Sequence, residues 1–138
     1  YTVETTLRVR YAETDAMRIV HHRNYITYFE EGRSAYARER GRPYSEIEAA
    51  GYFLLVTEVN VRYHKPAYYE DVISVESRIV KATPVRLVIG YTVRNKDTAE
   101  VLATGSTTHV WTDGSRKPVN MKKRAPDILE MMKQSQNE

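Results

Sequence analysis

The sequence contains no cysteine among its 138 residues. The absence of thiols excludes disulfide bonds, thiolate metal sites and a cysteine nucleophile. No apolar run approaches the roughly 20 residues that a membrane-spanning helix needs, and the sequence opens on no secretory signal pattern. We therefore expect a cytoplasmic protein with no membrane span.

The chain also has little excess charge. Its net charge is only +3, from 21 basic and 18 acidic residues, which is too little to indicate nucleic-acid binding. No motif that interleaves aromatic and basic residues is present, so no nucleic-acid partner is expected. Local basic clusters at 38–42 and 116–124 are typical of solvated surface. The alternative is that one cluster meets the phosphates of a nucleotide-bearing substrate.

Apolar residues make up 41% of the chain and charged residues 28%, which is typical of a soluble globular protein. A chain of this length buries about two-thirds of its unfolded surface. No internal repeat and no low-complexity linker divides the sequence. We therefore expect one domain over residues 1–138.

The first half of the chain predicts a strand, a loop and a long helix. Apolar and polar residues alternate from Val3 to Tyr11, which indicates a half-buried strand, and a loop follows over residues 12–20. Asn24 is a suitable N-cap for a helix that runs to about Arg40, with Gly41 as a left-handed stop. One stripe of that helix is apolar or small: Tyr25, Tyr28, Phe29, Gly32, Ala35 and Tyr36. Glycine weakens a helix interior, so Gly32 predicts close packing of the helix on a sheet.

The second half predicts a short helix over residues 45–50, four strands and a C-terminal helix. The expected inward-facing residues of the strands are Leu55, Thr57, Val59, Val61 and Tyr63; Ile73, Val75, Ser77 and Ile79; and Val85, Leu87, Ile89, Tyr91 and Val93. A last strand covers residues 101–111, a helix begins at Pro126, and residues 134–138 are expected to fray. Strands joined by short turns form an antiparallel sheet, and one long helix is the natural cover for its apolar face. The fold class is therefore α+β.

Asp15 is the main candidate for chemistry. It follows a strand-like run and precedes His22, close to the start of the long helix. Backbone N–H groups at a helix start lack intrahelical partners and carry partial positive charge. They can hold a carbonyl oxygen that becomes an oxyanion, while a carboxylate attacks the carbon or activates a water. An isolated loop aspartate usually bonds only to its own turn, and that interpretation also stays open.

The segment D-A-M-R-I-V-H-H-R-N-Y at 15–25, followed by Y-F-E-E at 28–31, resembles the signature of the 4-hydroxybenzoyl-CoA thioesterase family of hotdog-fold proteins. Supporting residues are Tyr63, Pro66, Tyr69 and Asp71, so the resemblance covers most of the chain. Arg18 departs from it, because the family has glycine there. The resemblance implies a five-stranded antiparallel sheet wrapped around one long helix, and hydrolysis of a small or medium acyl-CoA.

The resemblance also implies site residues. Asp15 would serve as nucleophile or general base, and N–H groups near His21 and His22 would polarise the thioester carbonyl. The imidazole of His22 is a second candidate for orienting the substrate or a water, and Tyr25 is close enough to the helix start to line a pocket. Lys65 and Arg86 are candidates for contacting coenzyme A phosphates, with solvated surface as the alternative for each. No cofactor is expected, since coenzyme A is part of the substrate.

No metal is expected. Adjacent side chains point in different directions on most backbones, so His21 and His22 are poor joint ligands. His64 and His109 stand on separate predicted strands without the spacing of a metal site.

Two other functions stay open at this point. A hotdog dehydratase or hydratase would also act on acyl thioesters, although the chain has no His-Phe-Pro-like segment. A non-catalytic acyl-CoA-binding module would keep the pocket without turnover. A serine hydrolase is disfavoured, because no G-x-S-x-G segment is present.

The resemblance further implies a homodimer with a joined sheet, or a dimer of dimers, because a five-stranded sheet leaves an edge strand unpaired. For Arg18 we expect an ordinary loop conformation with the side chain in solvent. The alternative is that Arg18 lies at the pocket mouth and pairs with an anionic part of the substrate.

Overall fold

Five strands form one antiparallel sheet in the order β1-β3-β4-β5-β2. The structure is a computed structural model that describes residues 1–40 and 42–138. The strands are β1 (Thr2–Arg8), β2 (Phe53–Tyr63), β3 (Val72–Ala82), β4 (Arg86–Asn95) and β5 (Val101–Thr112). The helices are α1 (Asn24–Glu39), α2 (Tyr44–Ala49), α3 (Met121–Arg124) and α4 (Pro126–Asn137), and a 3-10 turn covers Tyr11–Glu13.

Helix α1 covers the apolar face of the sheet, as its sequence pattern predicts. Of the expected stripe all but Ala35 are fully buried, and Ala35 is partly buried. The tight packing predicted from Gly32 is confirmed, because a Cβ there would lie 2.8 Å from a methyl carbon of Val75. The hydroxyl of Ser77 also donates to the Gly32 carbonyl oxygen at 3.0 Å. The middle of α1 is therefore fixed directly on β3.

The two central strands β3 and β4 match their predicted inner faces. Every expected inward residue of β3 is buried, and so are those of β4 except Val85, which precedes the strand and is exposed. Both strands are paired on both sides, and their register shifts, after Ile79 in β3 and after Val93 in β4, come only beyond the predicted inward residues. The result is the α+β hotdog architecture: a five-stranded antiparallel sheet wrapped around one long helix.

Strand β2 departs from its prediction because it contains a bulge. Its register with β5 shifts between Val56 and Glu58, and an extra residue in a strand reverses which side chains face inward. Leu54 therefore packs against the core, whereas Leu55 is exposed. The expected inward position of Leu55 was wrong, while Val61 beyond the bulge does pack against the core.

Three predictions for other segments also need correction. Strand β1 ends at Arg8, and Tyr11 is 76% exposed because the chain has already left the sheet for the 3-10 turn. Asn24 is not the N-cap of α1 but lies inside the helix, and its side chain donates to the Glu13 carbonyl oxygen. The C-terminal tail is helical to Asn137, because one face of α4, including Ile128, Met132 and Ser135, is buried.

The predicted left-handed stop at Gly41 lies outside the described residues. Within residues 1–40 and 42–138, none of the helices is both long and apolar enough to cross a bilayer.

Candidate active site

A cavity of about 350 Å³ opens between the segment that carries Asp15, the start of α1 and the end of β2. Its lining residues are Asp15, Met17, Ile19, Val20, His22, Tyr25, Tyr63, His64, Lys65 and Pro66. The structure thus brings together Asp15, His22, Tyr25 and Lys65 of the predicted site residues. Arg86 and His21 are not among the lining residues.

Asp15 is carried on a tight hairpin turn. Thr14 pairs with Val20, the Asp15 N–H donates to the Ile19 carbonyl at 3.0 Å, and the Arg18 N–H donates to the Asp15 carbonyl at 2.8 Å. Arg18 closes the turn with φ of 66°, in the left-handed region. A turn followed by a left-handed residue is a common way to close such a hairpin, and glycine is favoured there.

The expected ordinary conformation at Arg18 is therefore wrong. The backbone keeps the conformation that suits glycine, although an arginine occupies it. The Arg18 side chain is nevertheless exposed, and it is not among the cavity's lining residues.

The Asp15 carboxylate uses only one of its oxygens within the protein. Oδ1 accepts from the Met17 N–H at 2.8 Å, which is the usual bond of an aspartate to its own turn. Oδ2 has no hydrogen-bond partner among the described residues. The turn bond therefore orients the carboxylate at the cavity wall and leaves one oxygen for other partners.

One N–H group just before α1 is uncommitted among the described residues, and its residue, His22, lines the same cavity as Asp15. The His21 N–H donates to the Glu13 carbonyl at 2.8 Å, and the Arg23 N–H donates to Nδ1 of His21 at 3.2 Å. For the His22 N–H the described part of the chain provides no acceptor. The N-cap residue Arg23 makes no side-chain capping bond of its own, so among the described residues the His22 N–H is left for a ligand near the positive end of α1.

Glu13 holds the helix start in place, and the sequence patterns gave no role to it. Its buried carboxylate accepts from the Arg10 N–H at 2.9 Å and from the Tyr28 hydroxyl at 3.0 Å. Its backbone carbonyl accepts from His21 and from Asn24. A charged residue two positions before Asp15 was the available signal in the sequence. Only the fold shows that both its carboxylate and its backbone carbonyl accept hydrogen bonds.

Tyr63 at the end of β2 forms the opposite wall. Its hydroxyl donates to the His22 carbonyl at 3.0 Å, and its ring meets that of Tyr25 edge to face at 5.2 Å. Burial raises the pKa of Tyr25 to about 12, so its hydroxyl stays protonated at neutral pH. The sequence placed Tyr63 within the resemblance but gave it no role at the site.

The rings of His21 and His22 stack on each other, with centroids 4.1 Å apart, instead of diverging as expected. His64 shares a hydrogen bond with Thr104, whereas His109 is buried inside the sheet. In the described ranges no three His, Asp or Glu side chains are grouped as a metal ion would require. The metal-free site stays an expectation.

The two basic candidates lie in different places. Lys65 lines the cavity, but its ammonium is paired with the Glu100 carboxylate. Arg86 is the first residue of β4. The cavity lies near Tyr63, which pairs with Ala103 of β5, and Ala103 in turn pairs with Val93 of β4. Val93 therefore marks the level of the cavity on β4. Seven residues of strand separate Arg86 from Val93, or about 23 Å at roughly 3.3 Å per residue. Within one chain the structure does not bring Arg86 to this cavity.

These groups suit attack on a carbonyl. A carboxylate oxygen, an unpaired N–H at a helix start and an aromatic wall surround one cavity. Together they can supply a nucleophile or general base, hold a developing oxyanion and exclude part of the solvent.

Comparison with known proteins identifies the family to which the chain is related. A sequence model described as the thioesterase-like superfamily matches residues 9–135. The chain is 35% identical over 122 residues to YneP of Bacillus subtilis (strain 168), which is provisionally described as an acyl-CoA thioesterase; the match covers 88% of each chain. It is 26% identical over 91 residues to the acyl-CoA thioester hydrolase YbgC of Escherichia coli O6:H1, covering 66% of this chain and 68% of YbgC.

A solved structure is similar over nearly the whole length. The DHNA-CoA thioesterase from Staphylococcus aureus superposes with a TM-score of 0.93 at 32% identity, covering 99% of this chain and 91% of the other.

Proposed function

The chain belongs to the thioesterase-like superfamily, and from that premise we propose that it is an enzyme that hydrolyses acyl-CoA thioesters. Names of related proteins support this activity. One observation carries the proposal: Oδ2 of Asp15 and the N–H of His22, which have no partner within residues 1–40 and 42–138, belong to residues that line the same cavity. The 15–25 motif further supports a place within the 4-hydroxybenzoyl-CoA thioesterase family.

In the proposed reaction the thioester carbonyl oxygen accepts from the His22 N–H. As a general base, the Asp15 carboxylate takes a proton from water, and the resulting hydroxide attacks the carbonyl carbon. Negative charge develops on the oxygen beside the positive end of α1. The tetrahedral intermediate then expels coenzyme A as a thiolate, which is a good leaving group. The thiolate takes up the proton held by Asp15, so the carboxylate is restored and the free acid is released.

Asp15 acting as the nucleophile is the second route to the same products. Its oxygen would bond to the acyl carbon as the thiolate leaves, and water would then hydrolyse the mixed anhydride. Both routes need the same free carboxylate oxygen and the same N–H group. Neither needs a cofactor, because coenzyme A arrives as part of the substrate.

The His22 imidazole has a position suited to a supporting role. It lines the cavity, is exposed and lies 6.5 Å from the Tyr63 ring. We assign it to orienting the substrate or a water, with Tyr25 and Tyr63 contacting the acyl thioester. Lys65 would meet a coenzyme A phosphate only by leaving Glu100, and Arg86 would do so only from another subunit.

The proposal includes a cytoplasmic homodimer or dimer of dimers with the site at the subunit boundary. It is supported by the unpaired edge of β2, whose last residue, Tyr63, lines the cavity.

Replacing Asp15 tests the proposal. Asp15→Asn keeps an oxygen for the Met17 N–H bond, so the turn and the fold should survive. The loss of the base or nucleophile should lower kcat by on the order of 10²–10⁴. The measurement is release of free thiol from a series of acyl-CoAs of different chain length, with circular dichroism to confirm folding.

Asp97→Asn is the matched control, because Asp97 is also a turn aspartate but is exposed and lies away from the cavity. Thiol release by Asp15→Asn at the wild-type rate would exclude the assignment. A change in double-bond absorbance without thiol release would instead indicate a dehydratase or hydratase. Binding without either signal would indicate an acyl-CoA-binding module.

A further inference from the structure

The residues on either side of His22 are bound to one atom, the backbone carbonyl oxygen of Glu13. The His21 N–H and the side-chain amide of Asn24 each donate to it at 2.8 Å. The Asn24 N–H donates in turn at 3.0 Å to the His21 carbonyl oxygen, which belongs to the same peptide group as the His22 N–H. Because a peptide group is planar, the direction of its carbonyl also sets the direction of its N–H. The Glu13 carbonyl therefore fixes where the candidate oxyanion donor points.

The position of Glu13 depends in turn on its own side chain. Glu13 ends a 3-10 turn of only three residues, so little regular structure holds its backbone. Its side chain is 10% exposed, and Oε1 accepts from the Arg10 N–H at 2.9 Å and from the Tyr28 hydroxyl at 3.0 Å. The Arg10 guanidinium reaches Oε2 only at 3.3 and 3.4 Å, which is long for a charge-assisted bond. The two bonds to Oε1 therefore hold the carboxylate.

Tyr28 connects this carboxylate to α1. It is fully buried and lies four residues after Asn24, so successive turns place both side chains on the same face of the helix. Asn24 binds the carbonyl of Glu13 and Tyr28 binds its carboxylate. Burial and the charge of Glu13 raise the pKa of Tyr28, so its hydroxyl remains a donor. The helix thus contacts one residue of the preceding turn at both of its polar ends.

Glu13 is also linked through the chain to the carboxylate of the site. It directly precedes Thr14, which pairs with Val20 at the base of the hairpin that carries Asp15. A shift of Glu13 would therefore change the placement of the His22 N–H relative to the Asp15 carboxylate. Catalysis is sensitive to such a change, because a displacement of about 1 Å can lower a rate about 100-fold.

We infer that Glu13 and Tyr28 are positioning residues, which hold the His22 N–H in the direction that receives the oxyanion. The inference rests on the proposed hydrolysis of acyl-CoA. Neither residue lines the cavity of Asp15, so both act through the backbone around His22 and not by contact with the substrate. Their loss should therefore affect the transition state more than substrate binding, because the full oxyanion forms only as the reaction proceeds.

Tyr28→Phe tests this role by removing one hydroxyl while the ring remains in the core. It should lower kcat by on the order of 10- to 100-fold and leave KM within about twofold. Tyr36→Phe is the matched control, because Tyr36 is also a buried tyrosine of α1 and its hydroxyl donates to a single backbone carbonyl, that of Tyr1, at 3.2 Å. Thermal unfolding should show a lower Tm for both variants, whereas thiol release should fall only for Tyr28→Phe.

Two substitutions of Glu13 separate hydrogen bonding from charge. Glutamine keeps a carbonyl oxygen that can accept from both Tyr28 and the Arg10 N–H. Glu13→Gln should therefore keep kcat within about fivefold of the wild type, whereas Glu13→Ala should lose at least as much as Tyr28→Phe. Equal losses in the glutamine and alanine variants would overturn the positioning role.

A measurement without substrate separates this inference from the proposed function. In ¹H–¹⁵N NMR spectra of the free protein, Tyr28→Phe should move the amide signals of His21 and His22, and Tyr36→Phe should leave them in place. A wild-type protein that releases no thiol would refute the hydrolysis itself, whatever these signals do. In an active enzyme, unmoved signals with unchanged kcat in Tyr28→Phe, an effect on KM alone, or an equal fall of kcat in Tyr36→Phe would overturn the positioning role.

Discussion

Arg18 shows how a single residue can violate a local preference without disrupting the site. It occupies the left-handed position of the turn that carries Asp15, with φ of 66°. A residue with a Cβ is destabilised by roughly 1–2 kcal/mol in that conformation. Glycine avoids this strain, but part of the gain is lost because glycine has more conformational freedom in the unfolded chain. The exposed side chain has no contact that offsets the cost among the described hydrogen bonds and ion pairs.

We expect Arg18→Gly to raise the free energy of unfolding by about 0.5–1 kcal/mol. Because Arg18 does not line the cavity, KM for acyl-CoA should stay within about twofold. Urea denaturation and thiol-release kinetics measure the two quantities. Arg116, with φ of 63°, lies in a turn away from the cavity, so Arg116→Gly tests the same backbone effect independently. A rise in KM that shrinks as salt is added would show instead that Arg18 contacts the coenzyme A moiety.

His109 makes stability depend on pH. Burial lowers its pKa from 6.5 to about 4, so between these values the unfolded chain binds a proton that the folded protein does not. The folded state therefore loses stability as pH falls through this window, and the contribution is unchanged above pH 6.5. At pH 5 the loss from this residue alone is about 2 kcal/mol relative to pH 7.

The test is urea denaturation at pH 7 and pH 5 for the wild type and for His109→Gln. Glutamine keeps a polar side chain near Thr107 but does not titrate. Acidic residues that protonate over the same range affect both proteins alike, so the difference between them isolates His109. Equal losses of stability in the two proteins would contradict the assignment.

At the scale of elements, the contact between α1 and the sheet depends on two glycines. A Cβ at Gly105 of β5 would lie 2.2 Å from the Asn60 backbone oxygen and 2.7 Å from the Phe29 ring. A Cβ at Gly32 of α1 would lie 2.8 Å from a methyl carbon of Val75 and at ordinary contact distance, 3.6–3.7 Å, from Tyr91 and Ser77. The backbone neighbour of Gly105 cannot move without breaking the pairing of β2 with β5.

Gly105→Ala should therefore destabilise the protein by at least the about 1–3 kcal/mol typical of overpacking. Gly32→Ala should cost less, because alanine regains about 1 kcal/mol of helix propensity and Val75 can shift. Thermal and urea unfolding measure both. Glu31→Ala, on the exposed side of α1, is the control for helix propensity and should not destabilise. A Gly105→Ala protein as stable as the wild type would show that the strands separate more easily than the contact distances indicate.

These elements show which parts of the structure could be predicted from sequence. The inward faces of α1, β3 and β4 were predictable, because α1 packs one continuous stripe on the sheet and the predicted inward residues of β3, Ile73 to Ile79, all precede its register shift. The bulge in β2 was not predictable. An inserted residue divides the strand into two shorter stretches with opposite alternation, and the sequence does not show where one ends until the pairing with β5 is known.

The candidate site was predictable where a local motif carries it and unpredictable where distant segments meet. Asp15, His22 and Tyr25 lie within a few turns of chain and line one cavity. Tyr63 and Glu13 take part through contacts that only the folded chain creates, and Arg86 lies at the far end of β4. Sequence spacing contains no information on such long-range distances.

At the scale of the whole molecule, the open edge of β2 is the surface that best suits an interface with another chain. Strand β2 ends the sheet, has no fully buried residue, and exposes Leu55 by 47%, Val56 by 41% and Tyr63 by 49%. A long edge strand with apolar side chains favours pairing with another chain, whereas the shorter β1 at the opposite edge exposes polar side chains such as Thr6. A two-fold axis through β2 would extend the sheet across two subunits.

We therefore expect light scattering to give at least twice the 16.0 kDa chain mass at micromolar concentration. Val56→Lys should shift the protein toward the monomer. In the dimer the lysine would be buried at the interface and would lie close to the same lysine of the other subunit, and both effects are unfavourable. Thr6→Lys places the same charge on the opposite edge and should leave the mass unchanged. If β2 pairing also completes the site, thiol release by Val56→Lys should fall together with the dimer fraction as the protein is diluted. A wild-type protein that is monomeric and fully active would exclude both the dimer and the shared site.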